Sequence, residues 1–406
     1  MEPVRMMLVG CGMMGLRHIR GMAELERVAP GSVELAAVCD LREDAAARAA
    51  DEAQQLLGSR PQTFTNIERA LDETADLQAA DVVTEPRSHD EIVIGLLEAG
   101  LDVICEKPLA LTVARGRRMV EAARRTGQLL ATAENNKRDP MNRLARAAIQ
   151  AGLIGTPNFV LQVAIQPGGR VVATAWRHRL AMGGLLLDVA IHLGYTLEFL
   201  LGPVDWVSAR AWQVEHEISG KEWDGREVAV PVDSEDAATA LLGFESGASG
   251  HWTSHFASGG EAMFRRLVVG DEGTLDSPRG RSGKPVVVRR GSETLSGQAL
   301  LDALPDFCLS DLEARLFGER PAEYHFETTE TDRKLIAAEM GDFVEAVRAR
   351  RQPESTGEDG LRAVALVYAM LESSLAGRPV TMAEVLGGSV HQYQDRVEQS
   401  GAAAQS

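Results

Sequence analysis

From Val4 the chain alternates short apolar runs with longer stretches whose apolar positions recur every three or four residues: VRMMLV, MMGLRHIRGMAELERV, VELAAVC, EDAAARAADEAQQLL. Runs of the first kind have the length of buried strands and those of the second the period of helices, so the rhythm predicts βαβ units. It continues through QTFTN, ADVVTE, the helix-like HDEIVIGLLEAG, the strand LDVICE, the helix TVARGRRMVEAARRTG and a last strand QLLATAE. Parallel strands with crossover helices imply a doubly wound sheet that ends near Glu134.

Beyond Arg138 the rhythm changes. DPMNRLARAAIQAGLIG reads as a helix with Pro140 in its first turn, followed by the strand PNFVLQVAI and an irregular, Gly- and Arg-rich stretch to Gly184. Between Val204 and Val288 strands follow one another without helices, as in DAATALLGFESGASGHWTSHF with its Ser246-Gly247 turn, which implies a mainly antiparallel, open sheet. Two helices close the fold, about Lys334 to Arg350 and Asp359 to Ala376. The expected organisation is α/β: a Rossmann domain over 1–136, a second α+β domain over 137–385 with the helix 359–376 packed near the first, and a small, polar tail over 386–406 expected to be partly disordered.

The 406 residues suit two domains, and 45% hydrophobic with 25% charged residues is a globular balance. A net charge of −17 argues against nucleic acid as a partner, because phosphate binding needs a basic surface. The four cysteines, Cys11, Cys39, Cys105 and Cys308, show no C-x-x-C spacing, and strand-like sequence begins too early for a signal peptide, so a cytoplasmic setting is expected. Apolar runs such as LLLDVAIHL are short and carry charges, and no membrane span is expected.

Chemistry begins at GCGMMG. Gly10, Gly12 and Gly15, with Met13 and Met14 between them, follow a strand and open a helix, where backbone N–H groups and the helix dipole favour an anion and glycine lets a pyrophosphate come close. The next strand ends in Asp40, placed to hold a ribose diol and to repel a 2′-phosphate, which favours NAD over NADP. Arg42 keeps NADP open, since a guanidinium there either pairs with a phosphate or is a solvated charge at a helix start.

Glu106-Lys107-Pro108 follows the strand LDVIC at the end of the sheet where such folds bind ligands. An ammonium at Lys107 could stabilise negative charge developing on a substrate oxygen; it could also be a surface lysine. In MGGLLLDVAIHLGYTLEFLLGP the helical period places Asp188 and His192 on one face, either as an acid orienting a general base or as a helix-start carboxylate and a core histidine.

Together these segments resemble the Gfo/Idh/MocA family, the glucose–fructose oxidoreductase and inositol dehydrogenase group. The matching residues are GCGMMG at 10–15, VCD at 38–40, TEPRSHDEIVIGLLEAGLDVICEKPLAL at 84–111, GGLLLDVAIH at 183–192 and GEDGLRAVALVYAMLESSLAGRPVTM at 357–382. The resemblance implies oxidation of a secondary alcohol of a sugar, glycoside or cyclitol, or reduction of the ketone, with a nicotinamide cofactor, in a homodimer or homotetramer built through the open sheet. It makes Lys107 the EKP lysine, His192 the acid/base and Asp188 its neighbour, and it adds Glu85, Pro86, His89, Glu106, Trp176 and Arg177 to the cofactor contacts.

Tyr195 stands where such families often carry an aspartate, Ala190 replaces a common glycine, and Glu85 would either accept ribose hydroxyls or be a strand-end charge. The loops ENNKRDP and TAWRHRLAMGG are similar to segments of a branch acting on larger sugars and glycosides. Trp176 offers a flat face to a sugar ring, and Lys137, Arg138, Arg177 and His178 offer donors, or these residues anchor the loops. His251 and His255 share a strand face without a further ligand at metal spacing, so no metal is expected. Two other readings stay open: a redox-neutral cleavage with retained NAD, in which Tyr195 is an extra acid, and a sugar sensor without catalysis.

Overall fold

The computed structural model describes residues 2–403, which divide into two compact units. The first takes the chain up to Arg138 together with Leu309–Glu319 and Phe326–Leu361; the second takes Asp139–Cys308, Arg320–His325 and the chain from Arg362. A single break near residue 136 is therefore too simple, because the first unit also recruits two later segments.

The first unit holds a six-stranded sheet of β1 (Val4–Val9), β2 (Val33–Cys39), β3 (Gln62–Phe64), β4 (Ala79–Val82), β5 (Asp102–Glu106) and β6 (Leu130–Ala133) in the order β3-β2-β1-β4-β5-β6. All its pairs are parallel. The crossovers are α1 (Met13–Val28), α2 (Glu43–Leu57), α3 (Ile67–Glu73), α4 (Pro86–Glu98) and α5 (Val113–Thr126). Parallel strands covered by helices must be apolar on both sides, which is why the centres of β1 (Met6 to Val9) and β5 (Val103 to Cys105) are continuous apolar runs. The long helix Thr328–Ala349 packs along α1.

A cluster of buried polar groups interrupts that core. His18, on the buried side of α1 with Ile19, Met22 and Leu25, is fully enclosed, its Nδ1 2.8 Å from Asp81 Oδ2 on β4 and its Nε2 3.4 Å from Glu106 Oε1 on β5. Burial alone would discharge the ring, but Asp81 and Glu106 outweigh it and hold its pKa well above the usual histidine value. Glu339, facing them from the helix Thr328–Ala349, is pushed the other way, up, by burial and by the carboxylates of Glu106 and Glu134, against the opposing charges of His18 and Arg138.

The second unit opens with α6 (Pro140–Gln150), whose Asp139 accepts the Met141 N–H as a cap and also binds the Arg281 N–H and the Tyr324 hydroxyl at 2.8 Å. Its strands are β7 (Pro157–Pro167), β8 (Val204–Trp212), β9 (Glu217–Lys221), β10 (Glu227–Pro231), β11 (Ala237–Phe244), β12 (Ser249–Ser258), β13 (Met263–Gly270), β14 (Thr274–Asp276), β15 (Val287–Arg290), β16 (Glu293–Ser296) and β17 (Val380–Thr381). Nine form one sheet in the order β16-β15-β14-β13-β7-β12-β11-β8-β17, antiparallel except for the β12–β7 pair, while β9 and β10 form a separate hairpin. On β12 the even positions Trp252, Ser254 and Phe256 are buried beneath α7 (Ile191–Leu201), where Gly194 packs close to Trp252. The odd positions His251, Thr253 and His255 face outward, on a side that also shows Leu241 and Met263.

One expectation changes and two are refined. The tail is not disordered over Gln392–Ala403: that stretch is a helix whose first turn is held by the buried Glu372 carboxylate, which accepts the N–H groups of Tyr393 and Gln394, and Val397 is fully buried. The segment Leu180–Leu201 does have the length and apolarity of a membrane span, but 72% of it is buried in the unit, as befits a core element. The division between the units falls within the helix Gly357–Ala376, whose first turn packs on Leu130 and Leu109 of the first unit.

A histidine whose folded pKa is raised contributes stability that is complete below its unfolded value near 6.5 and fades as pH climbs through the folded one. The stability gap between the wild type and His18→Asn, from urea unfolding, is therefore widest at or below about pH 6 and narrows progressively in alkaline buffer.

Candidate functional site

In the first unit the loop after β1 is shaped by its glycines. Gly10 has φ +98°, and a Cβ there would meet the Val83 carbonyl oxygen at 2.8 Å. A Cβ on Gly15 would come within 2.2 Å of the Gly10 carbonyl oxygen, so this glycine lets α1 start hard against the strand end. Gly12 differs: it has ordinary backbone angles, caps α1, and has nothing within 4 Å of where a Cβ would be. Space at the second glycine and close packing at the third are what a pyrophosphate cradle requires. Met13 and Met14, half-buried, form the first turn behind it.

Asp40 completes the cradle. Its Oδ2 accepts the Cys11 N–H at 2.7 Å and its Oδ1 the Arg42 N–H at 2.9 Å, so the carboxylate is fixed by main chain and keeps lone pairs for a diol. The Arg42 guanidinium, 60% exposed, turns to Asp44 at 3.2 Å. Glu85 stands exposed as the cap residue of α4, its carbonyl accepting the Ser88 N–H at 3.0 Å while its carboxylate makes no capping bond, and Pro86 is buried as the first helical residue. These residues fit a bound NAD.

At the end of β5 Lys107 is half-buried. Its expected neighbours turn inward. Glu106 faces His18, and His89 is enclosed with Nδ1 3.0 Å from the Pro108 carbonyl and Nε2 3.1 Å from that of Thr84. Burial pushes the His89 pKa down against the carbonyls of Thr84, Pro108 and Leu109, which raise it, and the enclosed ring braces the EKP turn. Arg138 is likewise no substrate donor: it is buried among Asp342 at 2.7 Å, Glu354 and Glu313. Lys137 is 11% exposed and pairs with Asp359 at 3.5 Å.

In the second unit Leu186–Ala190 forms a π-helical turn that leads into α7, a widening often found at functional positions. Asp188, in that turn, gives its Oδ2 to Arg177 Nε at 2.7 Å, and the pair is 7% and 11% exposed. Spacing on one helix predicts Asp188 beside His192; an arginine from another segment also claims it. The Arg177 guanidinium lies 4.3 Å from the centre of the Trp176 ring. His192 is half-buried.

His178 is corrected: it is 2% exposed, and its Nε2 accepts the Val172 N–H at 3.0 Å. Its pKa is pushed down to about 4 by burial and by the Arg177 charge, so it is a neutral loop anchor. Tyr195 is buried, 3% exposed. His251 binds the Thr239 hydroxyl at 3.0 Å and His255 packs edge-on to Trp212, both on the outer sheet face. Among the described residues no group of three His, Cys, Asp or Glu side chains is arranged to hold a metal ion.

Sequence reasoning overlooked His18, although a polar residue on the apolar side of α1 is a legible signal. It also overlooked the β9–β10 hairpin and its Glu222, which accepts the Ala175 N–H at 2.7 Å, although Asp224-Gly225 is a hairpin-turn dipeptide.

The sequence model of the GFO/IDH/MocA oxidoreductase family with an NAD-binding Rossmann fold matches residues 4–134, and that of the GFO/IDH/MocA C-terminal domain matches residues 142–276. A D-apiose dehydrogenase of Paraburkholderia graminis is 26% identical over 92% of this chain and 88% of its own. A myo-inositol 2-dehydrogenase of Thermotoga maritima is 25% identical over 95% of this chain and all of its own, 100%. The crystal structure of an oxidoreductase domain protein from Kribbella flavida superimposes with a TM-score of 0.75 at 26% identity, covering 94% of this chain and 100% of that one. With both domain models matched in sequence order over most of its length, the chain belongs to the Gfo/Idh/MocA family of NAD-binding oxidoreductases.

Proposed function

We propose that the protein is an NAD-dependent dehydrogenase that moves a hydride between the cofactor and a secondary alcohol of a sugar, glycoside or cyclitol. The observation that carries the reading is the loop in which Gly12 alone is left open while Asp40 is pinned by two main-chain N–H groups. The sugar or cyclitol class rests on relatives of nearly full length that are an apiose and an inositol dehydrogenase. Asp40 favours NAD over NADP, as does an Arg42 drawn to Asp44.

Bound NAD supplies the hydride acceptor. The Gly12 main chain and the start of α1 hold its pyrophosphate, and Asp40 accepts from its adenosine ribose hydroxyls. His192 takes the proton from the substrate hydroxyl at a ring nitrogen, and the Lys107 ammonium stabilises the alkoxide that develops. Asp188 holds Arg177, and so Trp176, at the mouth of the helix that carries His192. The four cysteines are free thiols, in keeping with a reducing compartment such as the cytoplasm.

Assembly follows from the sheet. Leu241 is 55% exposed, Met263 50% and Phe159 37%, on an open face that supports pairing with a second copy. Leu241→Asp shifts the protein toward monomer in sedimentation velocity, with unfolding of the monomer otherwise little changed.

Gly12→Ala leaves the melting temperature near that of the wild type and lowers NAD affinity by about tenfold or more, read by titration calorimetry. Gly15→Ala instead loses about 2 kcal/mol of stability, because its methyl meets backbone that cannot yield. With NAD and a panel of inositols, free sugars and glycosides, the wild type forms NADH steadily, and Lys107→Ala and His192→Ala each lower kcat/KM by about 10² or more. Product without net NADH would replace this reading by the redox-neutral one, and sugar binding without turnover by the sensor.

A further inference from the structure

The hairpin β9–β10 stands apart from the nine-stranded sheet, yet it is tied at both ends. At its base the Asp236 carboxylate accepts the N–H groups of Val214 and Glu215 at 2.8 and 2.9 Å. At its tip Arg226 closes on Glu222 at 2.6 Å and on Asp224 at 2.7 Å. Its apolar side, Ile218, Val230 and Val232, forms a small buried cluster with Val171, and Ala175 packs against it.

What the hairpin holds is the loop that carries Trp176 and Arg177. The Trp223 N–H donates to the Ala173 carbonyl at 2.9 Å, at a residue kept in the left-handed region with φ +61°. The Glu222 carboxylate accepts the Ala175 N–H, capping the short helical turn Ala175–His178. Just past β10, Asp233 accepts the Leu180 N–H at 2.6 Å, and the Ser234 hydroxyl donates to the His178 carbonyl at 3.2 Å. A loop of this kind, with few regular bonds of its own, takes its shape from these external acceptors and donors.

We propose that the hairpin is a specificity-determining template and that Glu222 is its positioning residue: by fixing Ala175 it sets Trp176 and Arg177, and through Arg177 the Asp188 turn, for a sugar ring. This deepens the proposed function and rests on it. Glu222 acts through the Ala175 main chain, so its influence falls on how tightly the sugar binds, not on the proton and hydride steps.

Three measurements on full-length wild type, Glu222→Ala and Glu222→Gln test this: amide hydrogen exchange, steady-state kinetics on the sugar the wild type turns over best, and NADH affinity by fluorescence. Losing a charged acceptor for a main-chain N–H speeds exchange across residues 173–179 in Glu222→Ala by about tenfold, while β11 and β12 exchange as before. KM rises about tenfold with kcat within about twofold, NADH affinity is unchanged, and Glu222→Gln, which keeps an acceptor oxygen, lies close to the wild type. Unchanged exchange at 173–179 overturns the positioning role. Faster exchange with kcat falling and KM constant overturns the specificity role. A wild type that turns over no sugar overturns the functional reading and the specificity role with it, while the exchange result still decides whether Glu222 holds the loop.

Discussion

A buried histidine held between two carboxylates organises the first unit. His18 reaches from α1 to Asp81 on β4 and Glu106 on β5, so one side chain ties the first crossover helix to two strands of the sheet. Desolvating an imidazolium is costly, and the site is tenable because two carboxylates from different strands face it. The glycine loop lies one turn before His18 on α1, and Lys107 directly follows Glu106. The cradle for the cofactor and the proposed lysine are thereby referred to the same fixed point in the core.

The second unit uses a different device. Its proposed chemistry stands where regular structure loosens, in the π-helical turn at Asp188 and the irregular loop before it, and order is imposed there by side chains. Arg177 is the link, stacked on Trp176 and paired with Asp188. An enclosed ion pair is tolerable only with good geometry, so the loop and the helix constrain each other.

How much of this was legible follows the same line. The loop shape at Gly10, Gly12 and Gly15, with Asp40 beside it, could be read because it depends on backbone space and on strand-loop-helix order, which sequence spells out. The doubly wound sheet and the open antiparallel sheet were legible from apolar periods. The Arg177–Asp188 pair was not legible, because spacing along a helix says which side chains can meet, not which group from another segment joins them; a guanidinium from eleven residues earlier binds the same carboxylate. Arg138, His89 and His178 were read as ligand-facing for a related reason: a polar side chain in a loop motif looks alike whether it points outward or into a buried set of acids and carbonyls. The helix at Gln392–Ala403 escaped because its anchor, Glu372, lies on another helix.

Those anchors also account for the acidity. A net charge of −17 first suggests a solvated surface, yet many acids here are spent on main-chain N–H groups. Asp40 serves Cys11 and Arg42, Glu26 serves Gly31 and Val33, Asp236 serves Val214 and Glu215, and Glu372 serves Tyr393 and Gln394. A carboxylate is the only protein side chain that offers two equivalent charged acceptors, so one residue can satisfy two donors where the chain leaves a strand or enters a helix. Hydrogen bonds to charged groups contribute about 1.5–3 kcal/mol each, more than neutral ones. In a fold whose proposed site stands on loops, such double anchors hold the irregular backbone in one shape, and no periodicity in the sequence marks them, because the spacing from acid to donor follows no repeat: two residues from Asp40 to Arg42, five from Glu26 to Gly31, 22 from Asp236 to Val214.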